Sequence, residues 1–256
     1  MIKSMVKYGV IPVGGKGVRL RNIIGNMPKV LTKFEDVEIL TYPLLSLIKT
    51  GTKKVILITT DYTHENINKF VMKFMEKYKI KDVQFKVINA KKSGTAKATY
   101  YISNQVKTPF FYTNGDIIFY PEILQRIYQE FISNDKLIAV VTGSKENIAP
   151  THPHFLMNEE GYLTEVQIYP DINPSTLCSM ETAIFSHEIF DYLKMLPQKS
   201  LTMESLNLAL KDGKFVKVLV NEGFWYHLAT PQDIAKYNDH INEIKRIQNS
   251  LGVKLG

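Results

Sequence analysis

The chain has 256 residues, 45% of them hydrophobic, and a net charge of +7 from 32 Lys and Arg against 25 Asp and Glu. No apolar run approaches the roughly 20 residues of a membrane span, and the single cysteine, Cys178, excludes an internal disulfide and fits a reduced cytoplasm. The lysines are scattered and no nucleic-acid motif stands out, so neither nucleic acid nor membrane is an expected partner, whereas small anions are.

Val6 to Val13 reads as a buried strand, and Met1 to Val13 is too short and too close to the glycines that follow to be expected to act as a signal peptide. Next comes Val13-Gly14-Gly15-Lys16-Gly17-Val18-Arg19-Leu20, then Pro28-Lys29-Val30-Leu31. The glycines let the backbone turn tightly and bring amides close to a ligand. Lys16, Arg19 and Lys29 add fixed positive charge, so the loop suits a triphosphate. It is not a P-loop, because Gly17 follows Lys16 where Ser or Thr is needed. It is not the dinucleotide fingerprint, because Leu20 stands where a glycine is needed.

Tyr42 to Thr50 reads as a helix and Lys54 to Thr59 as a strand. Thr63 to Tyr78 places Ile67, Phe70, Val71, Phe74, Met75 and Tyr78 at helical spacing, a core-packing stripe. Val83 to Ile88 is a strand, followed by the loop Lys91 to Gly94 and a helix over Thr95 to Ser103. Phe110 to Thr113 is a strand running into Asn114-Gly115-Asp116, and Leu137 to Thr142 is another. This alternation predicts an α/β fold with a Rossmann-like, mainly parallel sheet flanked by helices. In such sheets ligands sit beyond the carboxyl ends of the strands. The glycine loop, Lys91 to Ala96 and Asp116 all follow strands, so they converge on one edge.

The second half is less regular. Met157 to Ile168 reads as a hairpin turning at Asn158 to Gly161, Glu181 to Phe185 as a strand, Glu204 to Leu210 as a helix and Phe215 to Val220 as a strand. Thr230 caps a last helix opened by Pro231, with Ile234, Tyr237, Ile241, Ile244 and Ile247 on one face. Those apolar residues suit either a docked terminal helix or a homo-oligomer contact. His152 and His154 flank Pro153 and are expected at the surface, with contact to the acceptor as the alternative, and Trp225 is expected to be a packing anchor.

The Gly-Gly-x-Gly-x-Arg-Leu loop, followed by Pro-Lys-x-Leu, resembles the signature of the sugar-phosphate nucleotidyltransferases. The likeness extends over roughly Val6 to Asn238. It implies nucleotidyl transfer: a sugar 1-phosphate attacks the α-phosphorus of a nucleoside triphosphate and pyrophosphate leaves. Arg19 would hold the β- and γ-phosphates with the Gly14, Gly15 and Gly17 amides, Val13 would also bind the nucleotide, and Lys29 would stabilise charge near the α-phosphate. Asp116, in an Asn-Gly-Asp element with Gly115, would bind Mg²⁺ on the triphosphate. Ser93-Gly94-Thr95-Ala96 matches the element that meets the nucleobase, which places Gly94 and Thr95 there; the same residues also read as a helix cap.

The acceptor half departs from that family. Its Trp-x-Asp-x-Gly-Thr-Pro appears as Trp225-Tyr226-His227-Leu228-Ala229-Thr230-Pro231, so His227 replaces a second carboxylate ligand and favours Mn²⁺ or another softer ion over Mg²⁺. Its Glu-Lys-Pro becomes Ile168-Tyr169-Pro170. Tyr169 and Glu181 are the acceptor-binding candidates. An unusual acceptor, another metal, or a silent nucleotide-binding protein would each explain the departures. A cytidylyltransferase for a non-sugar phosphate is a further alternative. The expected organisation is one domain over 1–256: a nucleotide-binding half to about 145, a small acceptor-binding β subdomain over about 146–235, and a C-terminal helix and tail over 231–256. No hexapeptide repeat follows Asn238.

Overall fold

The computed structural model describes residues 6–91, 93–146, 152–168 and 176–253. In chain order the strands are β1 (Tyr8–Pro12), β2 (Lys33–Phe34), β3 (Val37–Glu38), β4 (Lys54–Thr59), β5 (Gln84–Asn89), β6 (Phe110–Thr113) and β7 (Ile117–Phe119). They continue with β8 (Leu137–Ser144), β9 (His154–Met157), β10 (Leu163–Gln167), β11 (Leu177–Phe185), β12 (Phe215–Val220) and β13 (Trp225–His227). The helices are α1 (Arg21–Ile24), α2 (Thr41–Lys49), α3 (His64–Lys77), α4 (Thr95–Tyr100) and α5 (Glu122–Ser133), then α6 (Ile189–Met195), α7 (Ser205–Lys211), α8 (Pro231–Ala235) and α9 (Tyr237–Leu251).

Nine strands form one mixed, mostly parallel sheet flanked by helices, in the order β10-β9-β11-β6-β1-β4-β5, with β8 beside β11 and β12 beside β8. The β5-β4-β1-β6 block is parallel, and so is β8 with β12. The long β11 runs antiparallel to β6, β8 and β9 and joins the two halves of the chain. Alternation along the central strands sends side chains to two separate cores. Ile11 and Phe111 face one core, with Tyr42 of α2 and Phe74 of α3; Val10 and Tyr112 face the other, with Ala98 of α4 and Leu206 of α7. Both faces are therefore covered, which is why β4 reads as an unbroken apolar run.

Most expected elements form within a residue or two of their expected bounds. The α3 stripe buries Ile67, Phe70, Val71 and Phe74. The hairpin turns at Gly161, whose φ of 78° needs glycine. Several elements fall outside the expected set, among them α1, β2, β3, β7, α5, α6 and β13. The single expected C-terminal helix is two, α8 and α9, separated at Lys236. The α9 face docks on α2, where Gln248 Nε2 donates to Tyr42 Oη at 2.7 Å and Lys49 Nζ to Ser250 O at 2.8 Å. Among the described residues no helix is long and apolar enough to cross a membrane.

The short β7–β13 ladder does most to position the cleft. It pairs His227 with Ile117 and Trp225 with Phe119, and Leu228 N donates to Asp116 O at 3.0 Å. The strand is anchored at its far end by the α8 capping box. Asp233 Oδ2 accepts from Ala229 N, Thr230 N and Thr230 Oγ1 at 2.9, 2.7 and 2.9 Å. Replacing Asp233 with Ala is expected to lower stability by about 1–2 kcal/mol, measured as a shift in the urea unfolding midpoint with unchanged slope.

Candidate active site

The first strand ends at Pro12, and Val13 N still donates to Ile58 O of β4 at 2.8 Å, which ties the loop to the sheet edge. Thr60 Oγ1 donates to Gly14 O at 3.1 Å and holds the start of the glycine turn. Gly17 has φ 58° and opens the one-turn 3-10 helix Val18–Leu20. Leu20 is buried beneath that turn, while Lys16 and Arg19 stay exposed at the cleft. Pro28 starts a second 3-10 turn at Lys29–Leu31, whose buried Val30 and Leu31 fix the base of the Lys29 side chain.

These segments meet β6, β11 and β13 around a cleft of about 350 Å³ lined by Lys16, Arg19, Lys29, Asn114, Asp116, His152, Glu181 and His227. An adjoining hollow is lined by Val13, Gly14, Thr59, Thr60, Gly94 and Thr95. Gly115 lies below the floor: a Cβ there would come within 2.7 Å of Val13 Cγ1, so its part is close packing. Tyr169 lies outside the described residues.

Asp116 is the centre. It is 4% exposed, and Lys29 Nζ forms an ion pair with its Oδ2. His227 Nε2 lies 3.2 Å from the same oxygen. Burial alone would push this carboxyl up, but the Lys29 charge, then His227, outweigh it and hold Asp116 ionised far below the ordinary range. On the other side of His227, Nδ1 lies 2.6 Å from His152 Nε2, and His152 Nδ1 lies 3.1 Å from Ser179 O. Burial lowers the pKa of both rings.

Glu181 sits at a break in β11. The β8 pairing shifts register between Ser179 and Ala183, and Glu181 has φ 48°, a strained conformation for a side-chain-bearing residue. The bulge aims its carboxyl into the cleft, where Asn114 Nδ2 donates to Oε2. Burial pushes Glu181 up to about 7 against the lowering by His227. Two carboxyl groups thus share one cleft with opposite tendencies: Asp116 ionised, Glu181 poised near neutrality.

The start of α4 differs from a free anion site. Gly94 N donates to Gln198 O at 2.8 Å, Ala96 N to Ser200 O at 3.1 Å, and Thr202 N donates to Thr95 Oγ1 at 3.0 Å. The loop after α6 packs so closely that a Cβ on Gly94 would lie 2.5 Å from the Lys199 carbonyl carbon. Leu201 of that loop reaches both hollows.

Two expectations change. His152 and His154 are buried, 3% and 0% exposed, because β9 pairs with β11 and turns this segment inward. His154 Nδ1 meets Thr176 Oγ1 at 2.8 Å and is not among the cleft-lining residues. Asn114 and Leu201 join the site without having been singled out for it, and His152, weighed as an acceptor contact, enters it beside His227. Trp225 is the packing anchor expected, 1% exposed and edge-on to His152.

The chain belongs to the nucleotidyl transferase family, whose profile matches residues 8–244. It is 26% identical over 231 residues to a mannose-1-phosphate guanyltransferase of Gibberella zeae, covering 88% of this chain and 61% of that protein. It is 26% identical over 250 residues to the bifunctional protein GlmU of Methanococcus aeolicus, covering 96% and 57%. The chain thus spans only about three fifths of these relatives' length. The inositol-1-phosphate CTP transferase from T. maritima has the same fold, with TM-score 0.81, 21% identity and coverage of 96% and 98%. So does a UTP-bound UGPase from Acinetobacter baumannii, with TM-score 0.74, 16% identity and coverage of 95% and 98%.

The raised Glu181 pKa has a sign that can be checked. The folded protein keeps this proton over a range where the unfolded chain, with an ordinary value of 4.5, has lost it. Its contribution therefore makes stability fall as pH rises from about 4.5 to about 7. Glu181→Gln is expected to flatten that fall, leaving the variant more stable than wild type at pH 8 by on the order of 2 kcal/mol. Urea unfolding across that pH range measures it.

Proposed function

We propose that the chain joins a nucleoside triphosphate to a phosphorylated small molecule, a sugar 1-phosphate foremost, and releases pyrophosphate. The observation that carries this reading is the meeting of Lys29, Asp116 and His227 beside the Arg19 glycine loop. We assign the nucleotide to the half before about residue 145 and the acceptor to about 146–235, in a cytoplasmic setting. The guanyltransferase relative acts on mannose 1-phosphate, in keeping with a sugar acceptor.

Two polyanions must approach, so the work of the site is charge neutralisation and in-line positioning. An acceptor phosphate oxygen forms the new bond to the α-phosphorus, and the α–β phosphoanhydride bond breaks with its electron pair leaving on pyrophosphate. The attacking oxygen is already anionic, so no general base is required. Arg19, with the Gly14 to Gly17 backbone, takes the β- and γ-phosphates. Lys29 moves from Asp116 to the charge developing at the α-phosphate. Glu181 and Asn114 face the acceptor, and the Glu181 carboxyl, poised near 7, accepts from or donates to a hydroxyl. Gly94 and Thr95 meet the nucleobase.

A divalent cation fits beside Asp116. One carboxylate oxygen and one ring nitrogen 3.2 Å apart match two neighbouring ligands at bonds of about 2.1 Å. Among the described residues no group of three or more His, Cys, Asp or Glu has metal-holding geometry. Asp116 and His227 would therefore be the protein's two ligands, with phosphate and water completing the shell, as is usual for a nucleotide-borne ion. When bound, Mg²⁺ or Mn²⁺ neutralises triphosphate charge and polarises the α-phosphate.

A second reading keeps the reaction and changes the acceptor to a polyol phosphate. The near-complete mutual coverage with the inositol-1-phosphate CTP transferase favours it.

Pyrophosphate release, run with each nucleoside triphosphate against sugar and polyol phosphates, tests both readings. Release that needs one base and one acceptor class supports transfer; none from nucleotide-bound protein would leave a silent binding protein. Arg19→Ala and Lys29→Ala are each expected to lower the rate by about 10²–10³-fold. His227→Asp is expected to raise the Mg²⁺-to-Mn²⁺ activity ratio, and an unchanged ratio would remove His227 from the metal.

A further inference from the structure

Two histidine rings lie in series between a backbone carbonyl and the Asp116 carboxylate. The contacts are Ser179 O to His152 Nδ1 at 3.1 Å, His152 Nε2 to His227 Nδ1 at 2.6 Å, and His227 Nε2 to Asp116 Oδ2 at 3.2 Å. We infer that His152 is a positioning residue that fixes the tautomer of His227, so that His227 turns an unprotonated Nε2 toward Asp116 as a cation ligand. The inference rests on the proposed function, in which Asp116 and His227 hold a divalent ion.

The argument is one of donors and acceptors. A carbonyl oxygen only accepts, so His152 Nδ1 carries the proton in the Ser179 contact. A neutral imidazole with a proton on Nδ1 has a lone pair on Nε2. That lone pair faces His227 Nδ1 at hydrogen-bond distance, so His227 Nδ1 must donate. His227 Nε2 is then the bare nitrogen, and it faces a carboxylate oxygen. A lone pair and a carboxylate oxygen repel at 3.2 Å unless a cation sits beside both. Protonation of Nε2 would relieve the repulsion too, but would leave that nitrogen no lone pair to offer a cation. The alternative at the other end, a bare His227 Nδ1, would set two lone pairs against each other.

The surroundings hold this order in place. His152 is 3% exposed, with its ring edge-on to Trp225 at 71° and to His227 at 84°. Its carbonyl partner belongs to β11 just before the Glu181 bulge, and the His227 backbone is clamped to β7. Lys29 Nζ, also on Asp116 Oδ2, donates weakly to Leu228 O at 3.4 Å. Metal-bound histidines commonly donate their other ring N–H to a carbonyl or carboxylate; here a second imidazole fills that role.

Two measurements test this. In wild-type protein with ¹⁵N-labelled imidazoles, two-bond ¹H–¹⁵N correlations at pH 8 without metal should show His152 and His227 both protonated at Nδ1, assigned with the His152→Gln variant. A His227 signal protonated at Nε2 would overturn the inference and needs no destabilising substitution. The second compares Mn²⁺ binding, with and without inorganic tripolyphosphate, in wild type, His152→Gln and His152→Met. Gln can donate to Ser179 O and accept from His227, so it should keep Mn²⁺ affinity within about threefold. Met can do neither, and should weaken Mn²⁺ about 10–100-fold and abolish the histidine-nitrogen coupling in the Mn²⁺ electron spin-echo spectrum. Wild type lacking that coupling would remove His227 from the metal and overturn the metal assignment itself. Wild type showing it, with His152→Met keeping both coupling and affinity, would overturn only the role of His152.

Discussion

One buried carboxylate organises this cleft. Asp116 could not remain charged at 4% exposure without partners, and it has drawn them from opposite ends of the chain. Lys29 comes from the second turn after β1, and His227 from the strand that pairs with β7. Asp116 itself lies in the short link between β6, in the main sheet, and β7, in the two-stranded ladder. Its position therefore depends on both sheets holding their register. Conversely, the pairings of Lys29 and His227 are rewarded only because the carboxylate is there. Removing one partner would leave an uncompensated buried charge, and that is where such sites lose most stability.

Glu181 shows the opposite use of burial. It lies on β11, antiparallel to the strand that delivers Asp116, and its backbone is strained to turn inward. Asn114, two residues before Asp116, donates to it. A neutral amide satisfies the carboxyl group without adding positive charge, so burial dominates and the proton is retained to near pH 7. The same turn thus sends an amide toward one acid and a carboxylate toward two bases. One acid stays charged, and the other stays able to gain or lose a proton near neutral pH.

Much of this could be read from the order of residues, and the reasons are local. The glycine turn, the basic residues after it and the acid at the end of β6 follow strands directly, so period and spacing place them at one edge. The α3 stripe has a clear helical period and formed as expected. What stayed hidden depends on long-range pairing. His152 is 75 residues from His227, and nothing in the Thr-His-Pro-His stretch distinguishes a buried relay from a surface loop. The outcome was decided by β9 pairing with β11. The role of Leu201 likewise arises only because the loop after α6 lands on the start of α4. The short β7 is set by its ladder with β13, too few residues for a periodic signal.

The loop after α6 also divides the labour within the cleft. A helix start offers free amides and a favourable dipole to phosphate. At α4 two of those amides already donate to Gln198 O and Ser200 O, and the Thr95 hydroxyl accepts from Thr202 N. With two of its amides spent on protein carbonyls and only a short helix behind it, this end is a poorer seat for a polyanion than the first glycine turn. The first glycine turn is the reverse case. Lys16 and Arg19 are exposed beside it, and Lys29 stands between it and Asp116. Negative charge would be drawn to the first turn rather than to the Gly94–Thr95 surface. A triphosphate lying along this gradient would keep its charged end at the first turn and Lys29 and turn its uncharged end toward α4.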